Sequence, residues 1–442
     1  MSRRAVRLLS FGGVLLGASL GLFGCVRIPG QSGSLTIATS WSQAERSQLD
    51  EAFERWLVTK TDPEPFGTGI KIDWLTIERG LDLSRVVQPR RGRWDPRPPA
   101  PDIVLGGPPS SYRRLAKLGK LAPIDGPEPR LWNNVHRSPM GWAVRPSGVD
   151  SSPKTATNPP IAAQPPASSR PPQLTFDDPR HDPVALAWAK GELSSGTWAE
   201  GYARLVQSAG NSRRIGRQSG SALAAVERGE AEATPAVALD VAVRSGSVRF
   251  LPAPEAPDWI EGAGIVAGPG PRQLPQLFIQ FLNETGRAEK PQAEDPAADF
   301  EVDSLLADLL GATLVDAQEE LWTAWATLNR AKSPARAAMW LTQAPPWPPA
   351  SIEKLEGDNA EVLVQTLIEQ LAPDAELRAW LSRSWLGPKR LVDGALLEEI
   401  AHAADGRLAR EPRFRAWLRA EWTAWSRQRY RRVTRTATGL KP

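Results

Sequence analysis

Strand and helix patterns alternate from Leu35 to about Arg287 and then stop, because from Glu301 onward only helical spacing remains. That switch most constrains the fold: an α/β body of parallel strands and crossover helices, followed by an all-helical C-terminal extension. Leu35-Thr36-Ile37-Ala38-Thr39 alternates like a strand, and Ser42 with Glu45 forms a capping box for a helix striped by Leu49, Ala52, Phe53, Trp56 and Leu57. Ile70 to Leu75 and Asp102 to Leu105 are the next strands, with an Arg- and Pro-rich loop from Gln88 to Pro101 between them. Ser110 is expected to cap a helix that stops at Gly119.

Pro146 to Pro172 holds eight Pro in 27 residues and no apolar period, so it reads as an exposed insertion loop. The pattern resumes at Leu174-Thr175-Phe176, with helices around Val184 to Leu193 and Trp198 to Ser208. A short helix follows from Ala222 to Arg228, then apolar runs at Val237 to Val243 and Val248 to Leu251. Gly262 to Gly268 has a glycine spacing unsuited to a dinucleotide loop and reads as a crossing strand with close backbone packing. Beyond Glu301, helical stripes run through Leu305 to Leu314, Val362 to Leu371, Glu376 to Leu386 and Phe414 to Tyr430. Nine of the 18 Trp lie there, too many for an exposed surface, so the extension should pack against the α/β body.

The N-terminus carries Arg3, Arg4 and Arg7, then an uncharged stretch from Leu8 to Phe23 that ends at Gly24-Cys25. The stretch is shorter than the ~20 residues of a spanning helix and has the order of a signal peptide with a lipobox. Cys25, the sole cysteine, stands at the processing position for lipidation, and the mature chain is expected in the cell envelope on the extracytoplasmic side. One Cys and three scattered His exclude a disulfide framework and a local transition-metal cluster. With 54 basic against 50 acidic residues, the chain gives no general case for nucleic acid. Arg407 to Lys441 is the basic exception, with eleven Lys or Arg against two Glu. Its Phe414, Trp417, Leu418, Trp422 and Trp425 form a packing face, leaving the arginines to solvent or anionic lipid.

Ligands of open α/β sheets bind beyond the carboxyl ends of strands, which selects Ser40, Trp41, Gly106 and Gly107, with Trp41 as a stacking wall. Ser219-Gly220-Ser221 opens a helix, an arrangement that serves either as a plain N-cap or as an anion site. Asp240 follows an apolar run and offers a carboxylate to a cation, an amine or a sugar hydroxyl. No Walker loop, Gly-x-Ser-x-Gly elbow or Cys/His dyad is present, so no catalytic residue, metal ligand or cofactor is assigned.

Four segments in order resemble bacterial extracellular solute-binding proteins, the receptors of ABC importers, and in particular their ferric-ion-binding branch. They are Leu35 to Trp56 (LTIATSWSQAERSQLDEAFERW), Asp102 to Asp125 (DIVLGGPPSSYRRLAKLGKLAPID), Gly216 to Glu232 (GRQSGSALAAVERGEAE) and Gly262 to Asn283 (GAGIVAGPGPRQLPQLFIQFLN). The resemblance implies a two-lobe type II periplasmic-binding fold with crossing strands, a ligand cleft and hinge closure. With it go a small-molecule or ion ligand, an ABC permease as partner and no enzymatic activity, while attachment to the membrane rests on the lipid anchor expected at Cys25. The iron-binding members use adjacent tyrosines where this chain has Ala236-Val237-Ala238-Leu239-Asp240. The expected organisation is a signal peptide (1–24), a tether (25–34), the first part of lobe 1 (35–145), the Pro-rich insertion (146–172), lobe 2 (173–262), a return crossing that completes lobe 1 (263–300) and the helical extension with its basic tail (301–442). The alternative functions are a non-transport envelope scaffold using the same fold, and a secreted hydrolase.

Overall fold

The computed structural model describes residues 33–60, 70–88, 100–126, 130–146, 174–244, 246–253, 256, 258–268, 273–289, 299–331, 335–355, 357, 359–386 and 390–439. The signal peptide, Cys25, nearly all of the Pro-rich insertion and the link at 290–298 lie outside them.

The first lobe is built from β1 (Ser34–Thr39), α1 (Gln43–Thr59), β2 (Lys71–Thr76), α2 (Leu83–Val86), β3 (Ile103–Leu105), α3 (Pro109–Lys117) and β4 (Asn133–Ser138). The second comprises β5 (Met140–Val144), β6 (Thr175–Asp177), α4 (Pro183–Ser194), α5 (Trp198–Asn211), β7 (Arg214–Gly216), α6 (Ser221–Glu227), β8 (Ala233–Val237), α7 (Ala238–Ala242) and β9 (Arg249–Pro252). The chain then returns through β10 (Trp259–Ile265) and α8 (Gln273–Glu284).

Each lobe's sheet is completed by a strand on the far side of a crossing. Lobe 1 has the order β2-β1-β3-β10-β4, with β1, β2 and β3 parallel and β10 antiparallel to both neighbours. In lobe 2, β8-β5-β9 is antiparallel, and a parallel bridge from Leu174 to Ala233 joins it to the parallel pair β6 and β7. The resulting order β7-β6-β8-β5-β9 repeats the lobe 1 scheme, with β5 in the place of β10. Pro139 alone separates β4 from β5, so the first crossing falls there and β5 belongs to lobe 2. The return begins at Trp259, ahead of the glycine run that marked it in the sequence. This is the two-lobed arrangement with crossing strands that the resemblance implies.

Alternation along β3 shows how the sequence builds the layers: Ile103 and Leu105 face α1 and α8, whereas Val104 faces α2 and α3. The capping box at Ser42 and Glu45 is formed as expected. Ser110 is not the cap of α3. Pro108 holds that position with Pro109 in the first turn, where a missing N–H costs nothing, and Ser110 is buried at 3% exposure. Gly262 shows why the glycine run is needed, since a Cβ there would lie 2.5 Å from the Tyr112 ring. The Tyr112 hydroxyl sits 2.7 Å from the carbonyls of both Gly106 and Gly262.

The C-terminal part consists of α9 (Phe300–Leu310), a π-helical turn (Gly311–Val315), α10 (Gln318–Leu328), α11 (Ala335–Leu341), β11 (Pro346–Trp347), α12 (Ala350–Glu353), α13 (Ala360–Leu371), α14 (Ala375–Trp385), β12 (Arg390–Leu391), α15 (Gly394–His402), α16 (Arg407–Arg410) and α17 (Pro412–Ala437). Among the described residues its only strands are the two-residue ladder of β11 and β12. Its core is continuous with lobe 2. Phe176, Tyr202, Leu205 and Val206 of the lobe share one cluster with Leu309, Leu321, Trp347 and Trp422. Trp347, Trp385 and Trp422 are buried, and the other six tryptophans of this part are half-buried.

Candidate functional site

The carboxyl ends of β1, β2 and β3 face lobe 2 and the helical part across a cavity of about 1420 Å³. Ser40, Arg79, Gly106, Gly107, Asp182 and Trp259 are among its lining residues. A second cavity of about 360 Å³ is lined by Trp41, Glu45, Asn134, His136, Leu239 and Arg287, among others. Ile260 borders both.

A polar network stands between them. The Trp41 indole donates to Glu261 Oε2 at 2.6 Å, and the Trp259 indole donates to Glu261 Oε1 at 3.1 Å. Glu261 is 2% exposed, so its charge depends on these donors and on Arg79, whose guanidinium lies 3.8 Å away. Arg79 is a lobe 1 residue just beyond β2, yet it reaches lobe 2 and donates to Asp240 Oδ2 at 2.6 Å. Burial works against the charge on Arg79, but Asp240, Glu261 and Asp182 together hold the guanidinium above its ordinary range.

On the lobe 2 side, Ser219 donates to Asp182 Oδ1 at 2.8 Å, while Asp182 Oδ2 caps α4 by accepting from the Ala185 amide. Burial raises the Asp182 carboxyl against the pull of Arg79 and Ser219. The start of α6 is occupied from within. Asp177 Oδ1 accepts from the Ser221 hydroxyl at 2.6 Å and from the Ala222 amide at 2.9 Å, and the Gly220 amide also bonds to this carboxylate. A Cβ at Gly216 would lie 2.0 Å from both Asp177 Oδ1 and Ser221 Oγ, so the close approach requires glycine. Burial pushes the Asp177 carboxyl up to about 6, opposed by Ser221 and reinforced by Asp182.

The helical part closes a third side. Asp303 on α9 pairs with Lys190 of lobe 2 at 2.7 Å and also bonds to the Ser110 side chain of lobe 1. Arg114 of α3 lies 4.1 Å over the Phe300 ring. Arg180 of lobe 2 bridges Asp178 and Asp316, at 2.7 Å to each.

Of the residues selected from sequence, Ser40, Gly106 and Gly107 line the larger cavity and Trp41 lines the smaller. Asp240 is engaged by Arg79, and Ser219, Gly220 and Ser221 are engaged by Asp182 and Asp177. None of these four lines either cavity. Arg79, Asp177, Asp182, Trp259 and Glu261 escaped the sequence reading. The strand-end rule that selected Ser40 and Gly106 applies equally beyond β2 and β6, and would have found Arg79, Asp178 and Asp182. Two buried polar atoms at the smaller cavity have no protein partner: Oδ1 of Asn134, a residue 7% exposed, and Nε2 of His136. Tyr112, Tyr202 and Tyr430 are each at most 1% exposed, inside the core rather than at the cleft. Among the described residues no group of three His, Cys, Asp or Glu is placed to hold a metal ion.

No family model matches the sequence, and no curated protein matches it. Solved structures do. A periplasmic thiamin-binding protein has 14% identity, with 57% of this chain and 78% of that one covered and a TM-score of 0.40. Iron-bound HitA from Pseudomonas aeruginosa has 17% identity, coverage of 62% and 92%, and a TM-score of 0.42. A ferric-binding protein from Campylobacter jejuni has 12% identity, coverage of 66% and 99%, and a TM-score of 0.41. At these values each is a protein to which the chain is similar, and no more.

Proposed function

We propose that the protein is a lipid-anchored, extracytoplasmic solute-binding protein that passes a small solute to the permease of an ABC importer. The observation that carries this reading is the cleft itself: two lobes of the same strand order, joined by crossing strands, face each other with strand ends around a cavity. The smaller cavity is within the size range of small-ligand pockets and combines an aromatic wall, Trp41, with unpartnered polar atoms on Asn134 and His136. An unpartnered buried polar group is costly, and a solute that bonds to these atoms would recover the cost.

The envelope scaffold is favoured by a different observation. Arg79 of lobe 1 bonds to Asp240 of lobe 2, and Asp303 contacts both lobes at once, so the lobes are tied to each other without a solute. Native mass spectrometry of the chain from Val26 onward separates the two readings. A copurified small molecule, lost from an Asn134→Ala variant of unchanged melting temperature, supports solute binding. A protein that carries no added mass and is not stabilised by any of a broad solute panel supports the scaffold.

A further inference from the structure

The basic residues of α17 divide into two groups that are treated differently. Arg415 and Arg419, in its first half, both pair with Asp308, a carboxylate 4% exposed. Beyond Glu421 the helix carries Arg427, Arg429, Arg431, Arg432 and Arg435 and no acid. Four of these, Arg427, Arg431, Arg432 and Arg435, are exposed, and the carboxylate available to them is Glu320 of α10, 2.7 Å from Arg431 and 3.7 Å from Arg427. Arg432 lies 4.0 Å over the Trp340 ring, and the guanidinium of Arg435 has no hydrogen-bond or ion-pair partner among the described residues.

Positions 427, 431 and 435 recur every four residues, so they form one stripe on the face opposite Trp422, Tyr430 and Val433, which are buried. Complementing the helix dipole would need cations only in the last turn, whereas this stripe runs further back. Arg429 stands apart from the stripe: it donates to the Trp340 carbonyl and to Gln343 Oε1, and burial lowers its guanidinium to about 10, opposed by Tyr202 and Tyr430 and reinforced by Arg432. All five are Arg rather than Lys, the side chain whose planar fork matches phosphate oxygens in pairs. Met339, next in sequence to Trp340, is 64% exposed, which puts an apolar side chain on the same packed pair of helices, α11 and α17.

We propose that the C-terminal half of α17 is a docking surface for the anionic headgroups of a phospholipid membrane. The surface would orient the protein on the bilayer independently of any solute in the cleft. The test uses the chain from Val26 onward, which keeps every described residue and lacks Cys25, so no acyl chain contributes. It is floated with vesicles of about 30% phosphatidylglycerol in phosphatidylcholine at about 0.1 M salt. Binding to these and not to pure phosphatidylcholine is expected. Arg432→Gln with Arg435→Gln should weaken it roughly 25-fold, about fivefold per cation. Arg413→Gln, at the other end of the helix, should leave it unchanged. Should the double variant fold poorly through the loss of the Trp340 contact, Arg435→Glu alone carries the test with a melting temperature as control. Absence of binding, equal binding to neutral vesicles, or equal loss in Arg413→Gln overturns the proposal. Displacement by millimolar inorganic phosphate at constant ionic strength also overturns it and assigns the stripe to a soluble anion.

Discussion

Arg79 and Asp240 belong to different lobes and meet at 2.6 Å, each with about a quarter of its side chain exposed. The pair is a tie across the cleft rather than a surface decoration, because Glu261 and Asp182 surround the same guanidinium.

Arg79→Ala leaves three carboxylates without their common cation, and should cost about 1–3 kcal/mol in urea unfolding, discounted from a fully buried pair because solvent reaches both side chains. A double-mutant cycle with Asp240→Ala isolates the tie. A coupling energy of about 1 kcal/mol or more is expected, and a value near zero would mean that the lobes are held by other contacts.

Asp177 gives a pH dependence of definite sign. Its folded value of about 6 lies above the ordinary aspartate value of 3.8, so the folded state binds more protons in that window, and its contribution to stability falls as pH rises from about 4 to about 7. The burial of Asp182 acts in the same direction. Asp177→Asn should be more stable than the parent at pH 8 by about 3 kcal/mol and nearly equal to it at pH 4. Urea midpoints at the two pH values check this, and a variant destabilised equally at both would show that the carboxylate's bonds to Ser221 and Ala222 outweigh its desolvation.

Leu309 is fully buried in the cluster that lobe 2 shares with the helical part. Leu309→Ala should cost about 2–5 kcal/mol, and lobe 2 should melt together with the helices in one transition. Truncation after residue 299 exposes Leu205 and Val206 and should lower the melting temperature or abolish solubility. An unchanged melt of the truncated chain would instead define a separate domain.

Acylation of Cys25 is checked by labelled palmitate. The parent should incorporate label and partition with membranes, and Cys25→Ala should do neither. Label retained in the variant would refute the lipobox reading.

Legibility in the sequence followed the range of the interactions. The capping box at Ser42 and Glu45 and the strand period of Leu35 to Thr39 are local, and both appear in the structure where their spacing puts them. Close packing at Gly262 was readable as a need for glycine, although the ring that demands it, Tyr112, was not. Partners distant in the chain were invisible. Arg79 and Asp240 are 161 residues apart, and nothing near either position announces the other. Ser219 to Ser221 carried the pattern of an anion site, but whether that site is free depends on Asp177, more than forty residues earlier. Ser110 misled because a serine before an apolar stripe is a common cap, while Pro109 starts this helix by fixing its first dihedral angle.

The strand order of lobe 1 also dictates the order in which the molecule can be made. Strand β10 lies between β3 and β4, so those two cannot pair with each other, and the strand that must separate them is not complete until Ile265. A ribosome needs on the order of ten seconds to travel from Ser138 to Trp259. Throughout that interval the Ile103–Leu105 edge has no native partner on one side. The emerging chain therefore cannot finish its first lobe until β10 has left the ribosome, by which time all of lobe 2 has been made.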